Sequence, residues 1–276
     1  MIGVLLMFVF VKEPTRGATG GNNSKPSSSK AWTSDVKQLR KNWSFLFCTL
    51  GMMAVKFASG AIGFHALTFL KRAWDITPCQ TEDCDSQDSL IFGGITFIAG
   101  ICGVVSGVEI AKIYKKCNPR ADPLVCASGM LISAIFLFLA IFLGNISLVA
   151  TYVCLFIGIL CLNLNCSVSA DIRLYVVSPA SRSTAQAIFM IVSDLLGKAG
   201  SAYIIGLISD HIKLQNPDSD LWKFCSLQYA LMVCPFVVAI GGGFFFACAH
   251  FIEEDRKKAE TESEDCVLQE VIVTPP

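Results

Sequence analysis

Charge is scarce in this chain. Asp, Glu, Lys and Arg make up 16% of its 276 residues, against about 25% in soluble globular domains. Hydrophobic residues reach 53% and mean hydropathy is +0.58, which disfavours a soluble enzyme and excludes disorder for most of the chain. An excess of either sign is also missing. The 22 basic residues cancel the 22 acidic ones, leaving no basic field for nucleic acid. Histidine is reduced to three residues. No His-Glu-x-x-His zinc helix, Gly-x-Ser-x-Gly elbow, or Walker or Rossmann glycine loop occurs. The expectation is therefore no enzyme, no cofactor, no metal site and no direct use of ATP. Ser128 and His250 could form an intramembrane serine/histidine pair. However, Cys126 stands where that motif has Gly, and His250 closes the last apolar segment.

What the chain does have is long apolar runs. Six of them, Trp43–Leu70, Leu90–Ile113, Leu124–Leu143, Ile146–Ala170, Thr184–Ser209 and Gln228–Ile252, have the roughly 20 residues needed to cross a bilayer as helices. Alternating ten-residue segments of the barrel type are absent. The predicted fold is an all-α membrane protein with six transmembrane helices over 43–252. Ile2–Val11 is too short to span. It reads as a signal-peptide core or, better, as the end of a preceding helix (1–11), because no basic residue precedes it. Residues 12–42 read as a linker rich in Gly, Ser and Asn. Near its end Trp32, Val36, Leu39 and Trp43 form an apolar stripe. This suits either an amphipathic surface helix or a continuation into the first span. Residues 253–276 read as an acidic, solvated tail with no packing role.

Basic residues are sharply sided. Sixteen of the 22 fall in the linker, in the second and fourth inter-span loops and in the tail. Four (Lys71, Arg72, Lys213, Lys223) fall on the opposite side, and Lys56 and Lys198 lie within spans. The positive-inside rule then places both termini in the cytosol. Cys79 and Cys84, in the first non-cytosolic loop, are expected to form a disulfide, with zinc as the lesser alternative. Most other cysteines read as small core hydrophobes.

Polar groups inside spans are costly and therefore candidates for function. Lys56 lies on the face of Gly60 and Gly63. His65, Asn163, Asn165, Asp194 and Lys198 complete the candidate substrate-binding set. Asp194 and Lys198, four apart with the acid first, are expected to pair along one helix. That pair is either structural or a polar lining for an anionic or amphiphilic substrate or a proton. His65 reads as an interfacial anchor or a ligand. Gly93, Gly100 and Gly107 recur every seven residues, and Gly103 with Gly107 forms a small-xxx-small pair. Either pattern suits close helix packing or a sliding surface.

Several stretches resemble the Spinster family of sphingolipid and lysolipid transporters in the major facilitator superfamily. They are Asp88–Thr96, Asn118–Ala127, Ala170-Asp171-Ile172 with Leu174–Val177, Pro179, Arg182 and Thr184-Ala185, Leu195–Gly197 with Ala199–Ser201, Tyr203 and Gly206–Asp210, and Glu253–Arg256. The resemblance covers roughly Trp32 to Lys258 and matches the second half of the family's twelve helices. It implies alternating-access transport of a sphingosine-1-phosphate or lysophospholipid type of lipid, bound near the midplane between two halves. The implied partners are a lipid, the membrane and the N-terminal six-helix half or another half-transporter, with proton coupling as an option of the superfamily. The implied location is a plasma or endosomal/lysosomal membrane. Gly103, Gly107, Glu109 and Lys112 resemble a second-half copy of the superfamily's cytosolic gating motif. Arg120, Asp122, Asp171 and Arg182 are expected to complete charge contacts at that gate.

The sequence departs from the family at polar and aromatic positions. Asp194 and Lys198 stand where the family has His and Asp, and Ala202 where it has Pro. Cys166 after Asn165 and the run His65-Ala66-Leu67 replace family Trp-containing patterns. This implies a diverged paralogue with altered or weakened transport. The alternative is a non-transporting, truncated membrane protein acting as an interaction or assembly partner.

Overall fold

The structure, a computed structural model, describes residues 36–76, 84–118, 120–144, 146–178, 181–214 and 220–273. Ile2–Val11, Trp32, most of the linker and the expected Cys79–Cys84 bridge lie outside the described residues. The described chain is built of helices: α1 (Trp43–Ile76), α2 (Cys84–Lys115), α3 (Ala121–Leu143), α4 (Leu148–Val176), α5 (Arg182–Met190), a π-helical stretch (Ile191–Ala199), α6 (Gly200–Lys213), α7 (Asp220–Leu231) and α8 (Val233–Val273). Six segments are long and apolar enough to cross a membrane: Trp43–Ala73, Leu90–Lys115, Ala121–Leu143, Leu148–Val176, Arg182–Lys213 and Leu221–Thr261. They match the six runs expected from hydropathy, extended by a turn or two at several ends.

Local chemistry sets the helix boundaries. The Asn42 carboxamide accepts from the Phe45 amide at 2.9 Å and donates to the Val176 carbonyl at 2.8 Å. It thereby caps α1 and ties its start to the end of α4. The preceding helical turn stops at Leu39, and residues 40–42 bend. The stripe through Val36, Leu39 and Trp43 is therefore not one continuous helix: Leu39 is buried while Trp43 is half exposed. Ser147 caps α4 by accepting from Ala150. Pro235 has no N–H for the Leu231 carbonyl, and the chain breaks between α7 and α8 at Met232.

The bundle has a packed middle and two open edges. α4 packs against α2 and α3, α3 against α8, α8 against α1, and α1 against the π stretch. In the most apolar window of α2 only 22% of residues are buried, and in that of the fifth span 28%, against 44–67% in the other four spans. Phe224, Phe245, Met130, Leu137 and Ile172 fill the middle. Lipid is as apolar as these side chains, so helix association here rests on close packing rather than on escape from water.

Glycine makes both edge contacts. A Cβ on Gly103 would lie 2.5 Å from the Leu160 carbonyl oxygen, and one on Gly107 2.5 Å from that of Leu164. These two residues bring the backbones of α2 and α4 together. Gly93 and Gly100 share the seven-residue repeat but face open space. At the other edge Gly60 and Gly197 are reciprocal. A Cβ on Gly60 would lie 2.6 Å from the Lys198 carbonyl oxygen, and one on Gly197 2.7 Å from that of Met53.

Candidate functional site

The α1–π crossing gathers part of the candidate binding set. Lys56 is one turn before Gly60, and its ammonium lies 3.3 Å from the Asp194 carboxylate. The expected Asp194–Lys198 pair is thus replaced by an interhelical one, and Lys198 has no charged partner among the described residues. Ile191–Ala199 is π-helical, and the close crossing at Gly60 and Gly197 brings Lys56 of α1 to the Asp194 carboxylate. Ser193 and Gly197 are buried, while Asp194 and Lys198 are exposed. Asp194 is left within reach of α1. Lys56 and Asp194 retain 32% and 48% side-chain exposure, so this is a polar notch and not a sealed ion pair.

His65, further along α1, bonds through Nε2 to the Ala202 carbonyl oxygen of α6 at 3.1 Å. It ties the first span to the fifth. The two asparagines lie elsewhere. Asn163 donates back to the Ile159 carbonyl at 2.9 Å and is half-buried beside Gly103 of α2. Asn165 is fully buried and donates to the Cys161 carbonyl at 3.0 Å, while its Oδ1 lies toward Gly129 of α3 and has no hydrogen-bond partner. Neither is joined to Lys56, Asp194 or Lys198 by a hydrogen bond among the described residues.

The end of the bundle that carries Lys115, Arg120, Arg173 and Arg256 holds a denser polar network. Arg120 meets Glu253 in a two-pronged fork, Nε to Oε1 and Nη2 to Oε2, both 2.9 Å. The fork holds the Arg120 guanidinium above its ordinary value, first by hydrogen bonding and then by charge. Asp122 is buried. One of its oxygens accepts from Lys115 and from the Tyr175 hydroxyl, each at 2.8 Å. Lys115 and Arg256 also lie over the Tyr175 ring. Asp255, 5% exposed, accepts from the Ser44 amide at 2.9 Å and so caps the start of α1.

Of the six gate candidates, then, Arg120 and Asp122 make contacts between helices. Glu109 and Lys112 pair with each other at 3.1 Å along α2. Arg182 donates to the Leu174 carbonyl at 2.7 Å, and Asp171 is exposed, with no partner among the described residues. The acidic residues after Ile252 are corrected here. They continue α8, and Glu253 and Asp255 clasp α3 and α1 rather than forming a purely solvated tail. Lys115, Tyr175, Glu253 and Asp255 were missed in the sequence reading. The one available signal was the acidic run just past an apolar span, facing loops rich in Lys and Arg.

Six membrane-length helices, joined by a half-exposed ion pair at an open edge and a charge clasp at one end, define an integral membrane protein. The Major Facilitator Superfamily profile matches residues 1–201, and the chain belongs to that superfamily. Within it the resemblance to Spinster proteins holds. The chain is 52% identical to protein spinster homolog 1 of Xenopus laevis, over 96% of its own length and 51% of the relative's. It is 45% identical to the sphingosine-1-phosphate transporter SPNS2 of Danio rerio, over 92% of its own length and 51% of the relative's. The chain therefore spans about half the length of the curated relatives it matches. Its fold is similar to that of a solved bacterial homolog of the human lysosomal transporter Spinster, in an inward-facing and occupied conformation. That match has a TM-score of 0.67 and 16% identity, and it covers 92% of this chain and 56% of the other.

Proposed function

We propose that this chain forms the second six-helix half of a Spinster-type transporter that moves a single-chain lipid with an anionic or zwitterionic head group by alternating access. The observation that carries the reading is the pair of open edges. α2 and the fifth span leave most of their apolar residues uncovered, and a second six-helix bundle across those edges would enclose a central path. The half-length match to the relatives supports the same unit.

The notch at the α1–π crossing supplies the head-group chemistry. Lys198 carries a free positive charge, and Lys56 is only partly neutralised by Asp194. An arriving phosphate would compete with Asp194 for Lys56 and take Lys198 as a second cation. His65 braces the same two helices. The Arg120–Glu253 fork and the Lys115–Asp122–Tyr175 contact form the cytosolic gate, on the orientation set by the basic loops.

The test is efflux of sphingosine-1-phosphate or lysolipid from vesicles that hold the protein together with its first half. Lys56→Gln with Lys198→Gln is expected to abolish efflux, and unchanged efflux would overturn the role given to the two lysines. Orientation has its own test. Cys79 is expected to react with an impermeant thiol reagent from outside only after reduction, and labelling from the cytosolic side would reverse it.

A further inference from the structure

A cavity of about 220 Å³ opens between the C-terminal end of α4 and the N-terminal end of α5, away from the α1–π notch. Arg173, Leu174 and Val177 line one side of it, and Arg182, Ala185 and Gln186 line the other. No carboxylate is among its lining residues. Two guanidinium groups around one space, with no counter-charge, repel each other and are stabilised by an anion between them.

Both arginines are positioned rather than loose. The Arg173 guanidinium lies over the Phe189 ring, 3.6 Å from its centroid, and its Nη1 donates to the Ser169 hydroxyl at 3.4 Å. Its Nε is buried without a hydrogen-bond partner. Arg182 is fixed by one prong on the Leu174 carbonyl at 2.7 Å, and its other donors have no partner among the described residues. α5 begins at Arg182, and its N-cap Ser181 makes no side-chain cap bond. The positive end of the helix therefore adds to the same field. Gln186, one turn further on, brings a neutral donor. Two pre-set planar forks plus a helix N-terminus suit the tetrahedral oxygens of a phosphate better than they suit a planar carboxylate.

We infer that the Arg173–Arg182 cavity is a phosphate-binding site, occupied by the head group of an anionic membrane lipid or by free phosphate. It does not depend on the transport proposal, because none of its residues belongs to the notch. Nor is it part of the gate clasp. Arg182 was a gate candidate, but the structure gives it a carbonyl partner and this cavity instead of a carboxylate.

The test uses the 276-residue chain in phosphatidylcholine nanodiscs containing a minor fraction of phosphatidic acid, with retained lipid read by native mass spectrometry. Phosphatidic acid is expected to be retained over phosphatidylcholine. Arg182→Gln is expected to cut that retention about tenfold, as the loss of one hydrogen bond to a charged group does. Arg173→Gln is expected to do the same. If losing the Phe189 stack unfolds that variant, the exposed Arg182 decides alone. Lys257→Gln, an exposed cation outside the cavity, is expected to change nothing. Added inorganic phosphate separates the sources. Displacement of the lipid identifies the phosphate group itself as sufficient, and retention identifies the whole lipid as ligand. No preference for phosphatidic acid, or an equal loss with Lys257→Gln, overturns the site. A cavity that is filled by a carboxylate from another chain segment gives the first of those results.

Discussion

The two edges of the bundle are built with the same device and differ in what is added to it. At the α2–α4 seam, Gly103 and Gly107 bring two backbones together, and the polar link across it is a neutral hydrogen bond from the Ser167 hydroxyl to the Val104 carbonyl at 3.3 Å. At the α1–π seam, Gly60 and Gly197 do the same, but the crossing also carries Lys56–Asp194, the unpaired Lys198 and a widened helical turn. Close packing alone gives a fixed seam. Close packing beside a half-exposed ion pair gives a seam whose energy changes when a charge is added, removed or replaced. The comparison teaches that a glycine pair says where helices meet, while the polar residues beside it say whether the meeting can respond to a ligand.

The largest expected effect tests what the seams share. Gly107→Leu and Gly60→Leu each push a side chain into a neighbouring backbone, which has little freedom to move. Each should cost roughly 2–3 kcal/mol, as overpacking does. Thermal unfolding in detergent should then fall on the order of 5–10 °C. If only one variant falls, the two seams are not equivalent packing devices.

A smaller effect tests the difference between the seams. Asp194→Asn leaves Lys56 without its partner. Asp194 is 48% exposed, so solvent screening limits the cost to about 1 kcal/mol. The double variant Lys56→Gln with Asp194→Asn should recover most of that loss, since no charge is then stranded. A double variant as unstable as the sum of the singles would mean the pair contributes nothing to the seam.

The Arg120–Glu253 clasp should respond less in stability and more in salt dependence. Arg120→Gln or Glu253→Gln breaks a fork whose two side chains are 42% and 39% exposed. The unfolding midpoint should drop less than for Asp194→Asn, and the difference should vanish in high salt as the charges are screened. A drop that persists in high salt would show that packing, not charge, holds the fork.

The six spans were legible because apolar length is a property of one segment at a time. The features that were not legible each need two segments. Asp194 and Lys198 satisfy the spacing rule for an α-helical pair, and nothing in Ile191–Ala199 announces that α1 crosses there and brings Lys56 to Asp194. Runs of acid such as Glu253–Asp255 are usually solvated. Here α8 runs on past the span and brings Asp255 to the Ser44 amide in the first turn of α1 and Glu253 to Arg120, a pairing set by how α8 crosses α1 and α3. Asn163 and Asn165 looked alike as polar intruders, yet one lies beside α2 and the other is sealed against α3.

The smallest expected effect is the most selective test of the seams. Gly100 and Gly107 are seven residues apart and would share one face of α2 by sequence. A Cβ on Gly107 meets the Leu164 backbone, while one on Gly100 meets nothing within 4 Å. Beyond Phe92, the buried residues described on α2 follow the narrow line Ala99, Gly103, Gly107, Ala111, so the contact with α4 turns away from Gly100. Gly100→Ala should therefore be neutral or raise stability by no more than about 0.5 kcal/mol, because alanine restricts the unfolded chain. Gly107→Ala should lower stability, since even one methyl group meets a backbone oxygen. Unfolding midpoints of the two alanine variants, measured side by side, would have to move in the same direction for the heptad to be one continuous packing face.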